Sequence, residues 1–265
     1  MNVWYSFLIA ISMYSRIPIP PVDWTKERMR YVFCFFPIIG IACGFGLWLW
    51  FSFAEWAGFS AAAAGLVGTA VPVFITGGIH LDGFLDTVDA LSSYGDRDKK
   101  LEILKDPHTG AFALIGGMAY ILCYAGLMIQ WAGLVMGEQT GRFSAEASGA
   151  LGAIFVMERS LSGLSVVSFP CARGTGLAAS FADSAQKRIV GICLSVWLLF
   201  CIAVLKLWAG YTGLLAGAGA GLVFWWYYKM AREKFGGITG DLAGWFLQIC
   251  ELAGLFILTV GIGRV

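Results

Sequence analysis

Long apolar runs broken by short polar segments dominate the pattern of this chain. The hydrocarbon core of a bilayer takes about 20 apolar residues per helix. Runs of that size lie near 31–53, 57–79, 111–136, 147–169, 189–209, 211–228 and 242–263. The pattern predicts an all-α polytopic membrane bundle with seven transmembrane helices, and one integral membrane domain over 1–265. A shorter stretch, VWYSFLIAISMYS at 3–15, predicts an interfacial helix or a short eighth span that ends at Arg16 and the RIPIPP turn. It has no basic leading segment and no small-residue cleavage site, so a removable signal peptide is not expected.

The polar intervals orient the bundle. Segments 16–30, 80–110, 170–188 and 229–241 carry four, four, three and three lysines and arginines. The intervals between them and the C-terminus carry only Arg142 and Arg264, while Arg159 and Lys206 fall inside apolar runs. Basic and non-basic segments alternate, so the positive-inside rule places all four basic segments in the cytoplasm.

Composition then acts mainly by exclusion. The chain is 58% hydrophobic and 13% charged, against roughly 25% charged in a soluble domain. A net charge of +1 gives no footprint for nucleic acid. Seven cysteines without a C-x-x-C pair suggest neither a zinc site nor a disulfide framework.

Candidate chemistry concentrates at 76–112. Between residues 80 and 110 lie Asp82, Asp86, Asp89, Asp96, Asp98, Glu102 and Asp106, seven of the seventeen acids. On a helix, Asp82, Asp86 and Asp89 at i, i+4 and i+7 fall within about 60° of arc. Like charges at that spacing repel, and hard oxygen ligands beside phosphate chemistry favour Mg²⁺. A solvated acidic face is the plainer alternative, but these aspartates alternate with apolar residues and follow directly on a span. Gly77, Gly78 and Gly83 leave backbone room for a ligand. RDKKLEILKDPHTG reads as a short amphipathic helix ended by Pro107 and Gly110, with Lys99, Lys100 and Lys105 open to phosphate contact or to water. His108 could bond a phosphate, carry a proton or serve the turn.

Elsewhere, Glu158 and Arg159 sit in mid-span, where charge is costly; they could form an ion pair, or Arg159 could grip a phosphate bidentately. Arg173 in CARGTG suits a phosphate contact. GGITGD (236–241) could turn N–H groups toward an anion at a helix N-terminus, with Asp241 capping that helix or joining a metal shell. Glu251 is expected to be a buried partner for another helix.

SRIPIP (15–20), GGIHLDGFLDTVDA (77–90), LEILKDPHTGAFA (101–113), Arg159 with CARGTGL (171–177), and FGGITGDLAG (235–244) together resemble the cobalamin synthase family, the adenosylcobinamide-GDP ribazoletransferases. The resemblance runs through nearly the whole chain. It implies the last assembly step of coenzyme B12 synthesis at the cytoplasmic (inner) membrane of a bacterium or archaeon, with the site facing the cytoplasm. Adenosylcobinamide-GDP and α-ribazole, or its 5′-phosphate, would give adenosylcobalamin, or its 5′-phosphate, and GMP, with Mg²⁺ required. It implies Asp82, Asp86 and Asp89 as metal ligands, and Asp106 as a further ligand or general base. Around the substrates it places His80, Gly83, Lys105, His108, Arg159, Arg173, Gly237 and Asp241. A homo-oligomer stays open. Two rivals are weighed. A CDP-alcohol phosphotransferase shares the metal logic, but its D-x-x-D-G-x-x-A-R pattern is absent. A cation transporter using Asp82, Asp86, Glu158 and Glu251 would spread its acids through the bilayer.

Overall fold

The apolar runs fold as helices in the computed structural model, which describes residues 2–137, 141 and 143–263. Arg142 and Arg264 lie outside the described residues, among which there is no strand. The helices are α1 (Asn2–Tyr14), α2 (Lys26–Met29), α3 (Val32–Trp56), α4 (Ala61–Thr76), α5 (Ile79–Ser92), α6 (Arg97–Ile103), α7 (Ala111–Val135), α8 (Ala145–Ser168), α9 (Leu177–Ser184), α10 (Lys187–Met230) and α11 (Gly240–Ile262). A π turn, Ala231–Phe235, follows α10.

Among the described residues, five helices are long and apolar enough to cross a membrane, or six if α4 and α5 count as one bent span. The centre of the bundle is α8, the least apolar of the five and the most buried. It packs against α3, α10 and α11. Leu122 on α7 and Leu199, Leu207 and Leu222 on α10 are exposed and face outward, as lipid-facing positions do.

Three features depart from a row of simple spans. First, α1 has 13 residues, about 20 Å at 1.5 Å per residue. That is shorter than a hydrocarbon core of about 30 Å, and the helix lies against α2 and α3. Second, the run 57–79 does not end as a straight helix. Gly77 and Gly78, at φ 69° and 80°, adopt the left-handed backbone that glycine takes without steric cost, and α5 leaves the corner bent by 97° from α4. Third, α10 is folded on itself. Gly210 has φ 56° and ψ −131°, and a Cβ on Gly213 would stand 2.0 Å from the Leu205 carbonyl oxygen. A continuous helix separates residues 205 and 213 by about 12 Å, so the chain reverses here. The runs 189–209 and 211–228 are the two arms of that helical hairpin. Lys206, at the reversal, lies 4.0 Å from the centroid of the Tyr211 ring.

The basic segments are tied together near the corner. The Ala172 N–H donates to Ile238 O at 2.9 Å, and the Ile238 N–H donates to Pro170 O at 2.8 Å. Arg97 donates to Ala172 O at 3.2 Å, and Arg173 donates to Leu101 O. Buried Lys100 donates to Ala90 O at 2.9 Å and to Ser93 O, which satisfies carbonyls at the end of α5 that a helix leaves unpaired.

Candidate active site

Two glycines bring α5 and α11 into backbone contact. A Cβ on Gly83 would lie 2.8 Å from Asp241 Cα and 2.9 Å from its carbonyl oxygen, and one on Gly244 would lie 2.8 Å from His80 O. The first turn of α11 therefore rests on the acidic helix. Leu85 and Val88 turn the other way and lie against Gly117 and Gly116 of α7, while Phe84 packs 4.9 Å from the Tyr120 ring.

This crossing brings Asp241 to the Asp82 end of the acidic helix, and the two line one cavity. The Asp86 carboxyl is pushed up to about 6, first by burial and then by the negative charges of Asp82, Asp241 and Asp89. Asp241 does not cap α11. Thr239 does, accepting the Leu242 N–H at 3.2 Å and donating to Asp241 Oδ2 at 3.3 Å. On the far side the Asp89 carboxylate abuts Gly110, where a Cβ would stand 2.1 Å from Oδ2.

The other expected residues lie around this centre at different depths. Asp106 is turned to His108, accepting its backbone N–H at 3.0 Å and meeting its Nδ1 at 2.7 Å. These two contacts hold the Asp106 carboxyl below its usual range. His108 and Lys105 are exposed. Arg173, Thr175 and Asp241 line a cleft of about 190 Å³. Gly236 and Gly237 close the π turn, donating to Arg232 O and Ala231 O at 3.1 and 3.0 Å. Their N–H groups are thus occupied; in the first turn of α11 the Leu242 N–H is taken by Thr239, and the Gly240 N–H is left toward an anion.

Arg159 is buried in the middle of α8. Its Nη1 meets Glu158 Oε1 at 2.6 Å and Phe155 O at 3.0 Å. It lines a cavity of about 270 Å³ together with Tyr124 and Glu251, and the Tyr124 hydroxyl donates to Glu251. Of the two readings of this charge, the geometry shows an ion pair within one helix. His80, also buried, lines both this cavity and a second one of about 300 Å³ that opens onto Asp82 and Asp241. Sequence reading missed the aromatic wall of that second cavity, formed by Tyr14, Phe33, Phe36 and Phe181. Phe33 and Phe36 lie inside an apolar run, where no sequence signal separates a ligand wall from core, and nothing local links them to Tyr14 and Phe181, which lie outside the runs.

Among the described residues, no three His, Cys, Asp or Glu side chains stand close enough to hold a metal unaided. Mg²⁺ ordinarily takes one or two carboxylates and completes its shell with water and substrate phosphates. Asp86, Asp89 and Asp241 are half-buried and Asp82 is exposed, and carboxylates of this kind, open to water and substrate, fit that ion by donor chemistry.

Fold and site together define a polytopic membrane protein with a carboxylate crevice where two helices cross. Residues 6–259 match the family model CobS, cobalamin-5-phosphate synthase, and the chain belongs to that family. Its relatives include the adenosylcobinamide-GDP ribazoletransferase of Lachnoclostridium phytofermentans, 40% identical over 253 residues and covering 95% of this chain and 92% of that one. Those of Desulfitobacterium hafniense Y51 and Clostridium perfringens SM101 are 31% and 28% identical, covering 94% and 98% of this chain and 94% and 100% of their own. No solved structure matches the chain. The family catalyses the final assembly step of cobalamin, so this chain is a transferase of cobalamin biosynthesis.

Proposed function

We propose that the crevice between α5 and the first turn of α11 is where adenosylcobinamide-GDP meets α-ribazole or its 5′-phosphate, at the cytoplasmic face of the inner membrane. The observation that supports this most directly is the packing of the first turn of α11, with Asp241, onto the helix that carries Asp82, Asp86 and Asp89, beside a cavity lined by both Asp82 and Asp241 and next to the Arg173 cleft.

In this reaction a ribose hydroxyl oxygen bonds to the cobinamide-side phosphorus of the pyrophosphate. The P–O bond to GMP breaks, the hydroxyl proton passes to a carboxylate or water, and GMP leaves. Mg²⁺ held by Asp82, Asp86 or Asp89 would neutralise phosphate charge in the transition state. The chain's own part is positioning. The Arg173 guanidinium and the Gly240 N–H at the start of α11 receive phosphate oxygens. A carboxylate of the crevice accepts the hydroxyl proton, and Asp241, held by Thr239, is placed for that role. Asp106 and His108, exposed and bonded to each other, line neither the cavity nor the Arg173 cleft and are given no part in this reading.

Asp82→Asn and Asp86→Asn should each lower GMP release by roughly 10²-fold or more, the usual scale for loss of a transition-state electrostatic contact. The protein should still insert and purify. Near-normal turnover of both variants at saturating Mg²⁺ refutes the assignment. Asp96→Asn is the control, because Asp96 accepts the Lys99 N–H at 3.0 Å as the cap of α6.

A further inference from the structure

We infer that the aromatic cavity beside Asp82 and Asp241 is the subsite for the base of the acceptor, an alkylated benzimidazole carried on ribose. The inference rests on the reaction proposed above and adds the location and chemistry of one substrate's binding site.

Size is the first argument. The cavity measures about 300 Å³, the lower end of the roughly 300–1,000 Å³ found for ligand pockets. A nucleoside base with part of its sugar matches that scale, whereas a corrin ring is several times too large. Its walls supply the second. Phe33 and Phe36 from α3, Tyr14 from α1 and Phe181 from α9 border it; the phenylalanines are 1–3% exposed and the four pack on one another, with Phe33 and Phe181 at 5.6 Å and Tyr14 and Phe36 at 4.2 Å between centroids. Aromatic walls of this kind accept a flat two-ring arene by stacking and edge contacts.

Polarity separates the two bases the reaction brings. Guanine presents several donors and acceptors along its edge, and burying them without partners costs roughly 1–3 kcal/mol per group. A methylated benzimidazole presents methyl groups there and one free ring nitrogen. The cavity offers few polar groups away from its acidic mouth, and one of them is unpartnered: His80 Nε2 is buried without a hydrogen bond, with its ring stacked 6.0 Å from Tyr14. A single unpartnered ring nitrogen on a residue that borders the cavity matches the single free nitrogen of the benzimidazole. Connectivity completes the case. Asp82 and Asp241 line the cavity, and the Arg173 cleft shares Asp241, Thr239 and Ala178 with it. A base seated here carries its ribose hydroxyls to the carboxylates.

The test uses the purified full chain in lipid nanodiscs. α-Ribazole binding is measured by calorimetry without donor or metal, and KM for each substrate is measured with Mg²⁺. Met13→Trp, which narrows the cavity from α1 at a residue that does not line the Arg173 cleft, should weaken α-ribazole binding and raise its KM at least tenfold, with the donor's KM within twofold of wild type. Phe181→Ala, which widens it, should reduce the preference for the dimethylated base over unsubstituted benzimidazole riboside by at least fivefold. His80→Phe keeps the ring and removes the nitrogen; it should weaken α-ribazole binding several-fold. Unchanged acceptor affinity in all three folded variants overturns the inference, and so does a selective rise in donor KM, which would assign the cavity to guanine. If wild-type protein releases no GMP from the donor and acceptor, the underlying reaction fails instead, and calorimetry still reports whether the nucleoside binds here.

Discussion

Removing the Arg159 guanidinium separates a stability role from a substrate role. Arg159 and Glu158 are almost fully buried, 1% and 0% exposed, and meet at 2.6 Å. Glu251 lies on the same cavity wall as Arg159, so the guanidinium is the cation nearest two buried acids. Deleting one partner of a buried pair leaves an uncompensated charge and costs roughly 3–5 kcal/mol. At about 2–4 °C per kcal/mol for a chain of this size, Arg159→Ala should lower Tm by on the order of 10 °C. Replacing both partners, Glu158→Gln with Arg159→Met, removes the stranded charge and should recover more than half of that loss. The assay is thermal unfolding of protein purified in one detergent, followed by tryptophan fluorescence, with KM for both substrates measured well below Tm. A folded Arg159→Ala protein with wild-type Tm and a donor KM raised tenfold or more refutes the ion-pair reasoning and returns Arg159 to the phosphate site.

Three further outcomes are expected. Gly83→Ala puts a methyl group 2.8 Å from the Asp241 backbone, closer than such atoms approach, so α5 and α11 must separate; turnover should fall at least tenfold with a Tm drop of only a few degrees. Tyr94, fully exposed after α5, tests orientation: Tyr94→Cys should resist membrane-impermeant thiol reagents in intact cells and react in inverted vesicles, and labelling from outside reverses the assignment. Lys100→Met strips the end of α5 of its cation and two hydrogen bonds, and should lower Tm by several degrees and weaken turnover while leaving acceptor KM near wild type.

The helices and the acidic face were legible because both follow from simple periodicity. A run of about 20 apolar residues has few outcomes other than a membrane helix, and aspartates at i, i+4 and i+7 share one side wherever the helix sits. The nearness of Asp241 to that face was not legible. It follows from two glycines, Gly83 and Gly244, more than 150 residues apart in sequence, whose meeting no local pattern announces. The pairing of Glu158 with Arg159 runs against the helical wheel, on which neighbours point about 100° apart; two long flexible side chains close that gap when no water competes. The lysines of α6 read as equivalent solvated charges, yet Lys100 is buried as a cap while Lys99 pairs at the surface with Glu102 at 2.9 Å. Which lysine turns inward depends on the helix against which α6 is laid.

The mid-span charges of α8 also constrain how this protein is made. An arginine at the centre of a helix costs roughly 2.5–3.5 kcal/mol on insertion scales, so α8 enters the bilayer against a penalty that its predecessors offset only in part. α3 is available when α8 emerges, but the hairpin of α10 and the whole of α11 are synthesised later. α11 is also the helix that brings Asp241 and the Thr239 cap to the crevice. A nascent chain halted before residue 240 therefore lacks both part of the packing around the charged pair and one side of the crevice. Such chains should be drawn to membrane quality-control proteases, which makes the arrival of α11 the step that supplies both stability and competence.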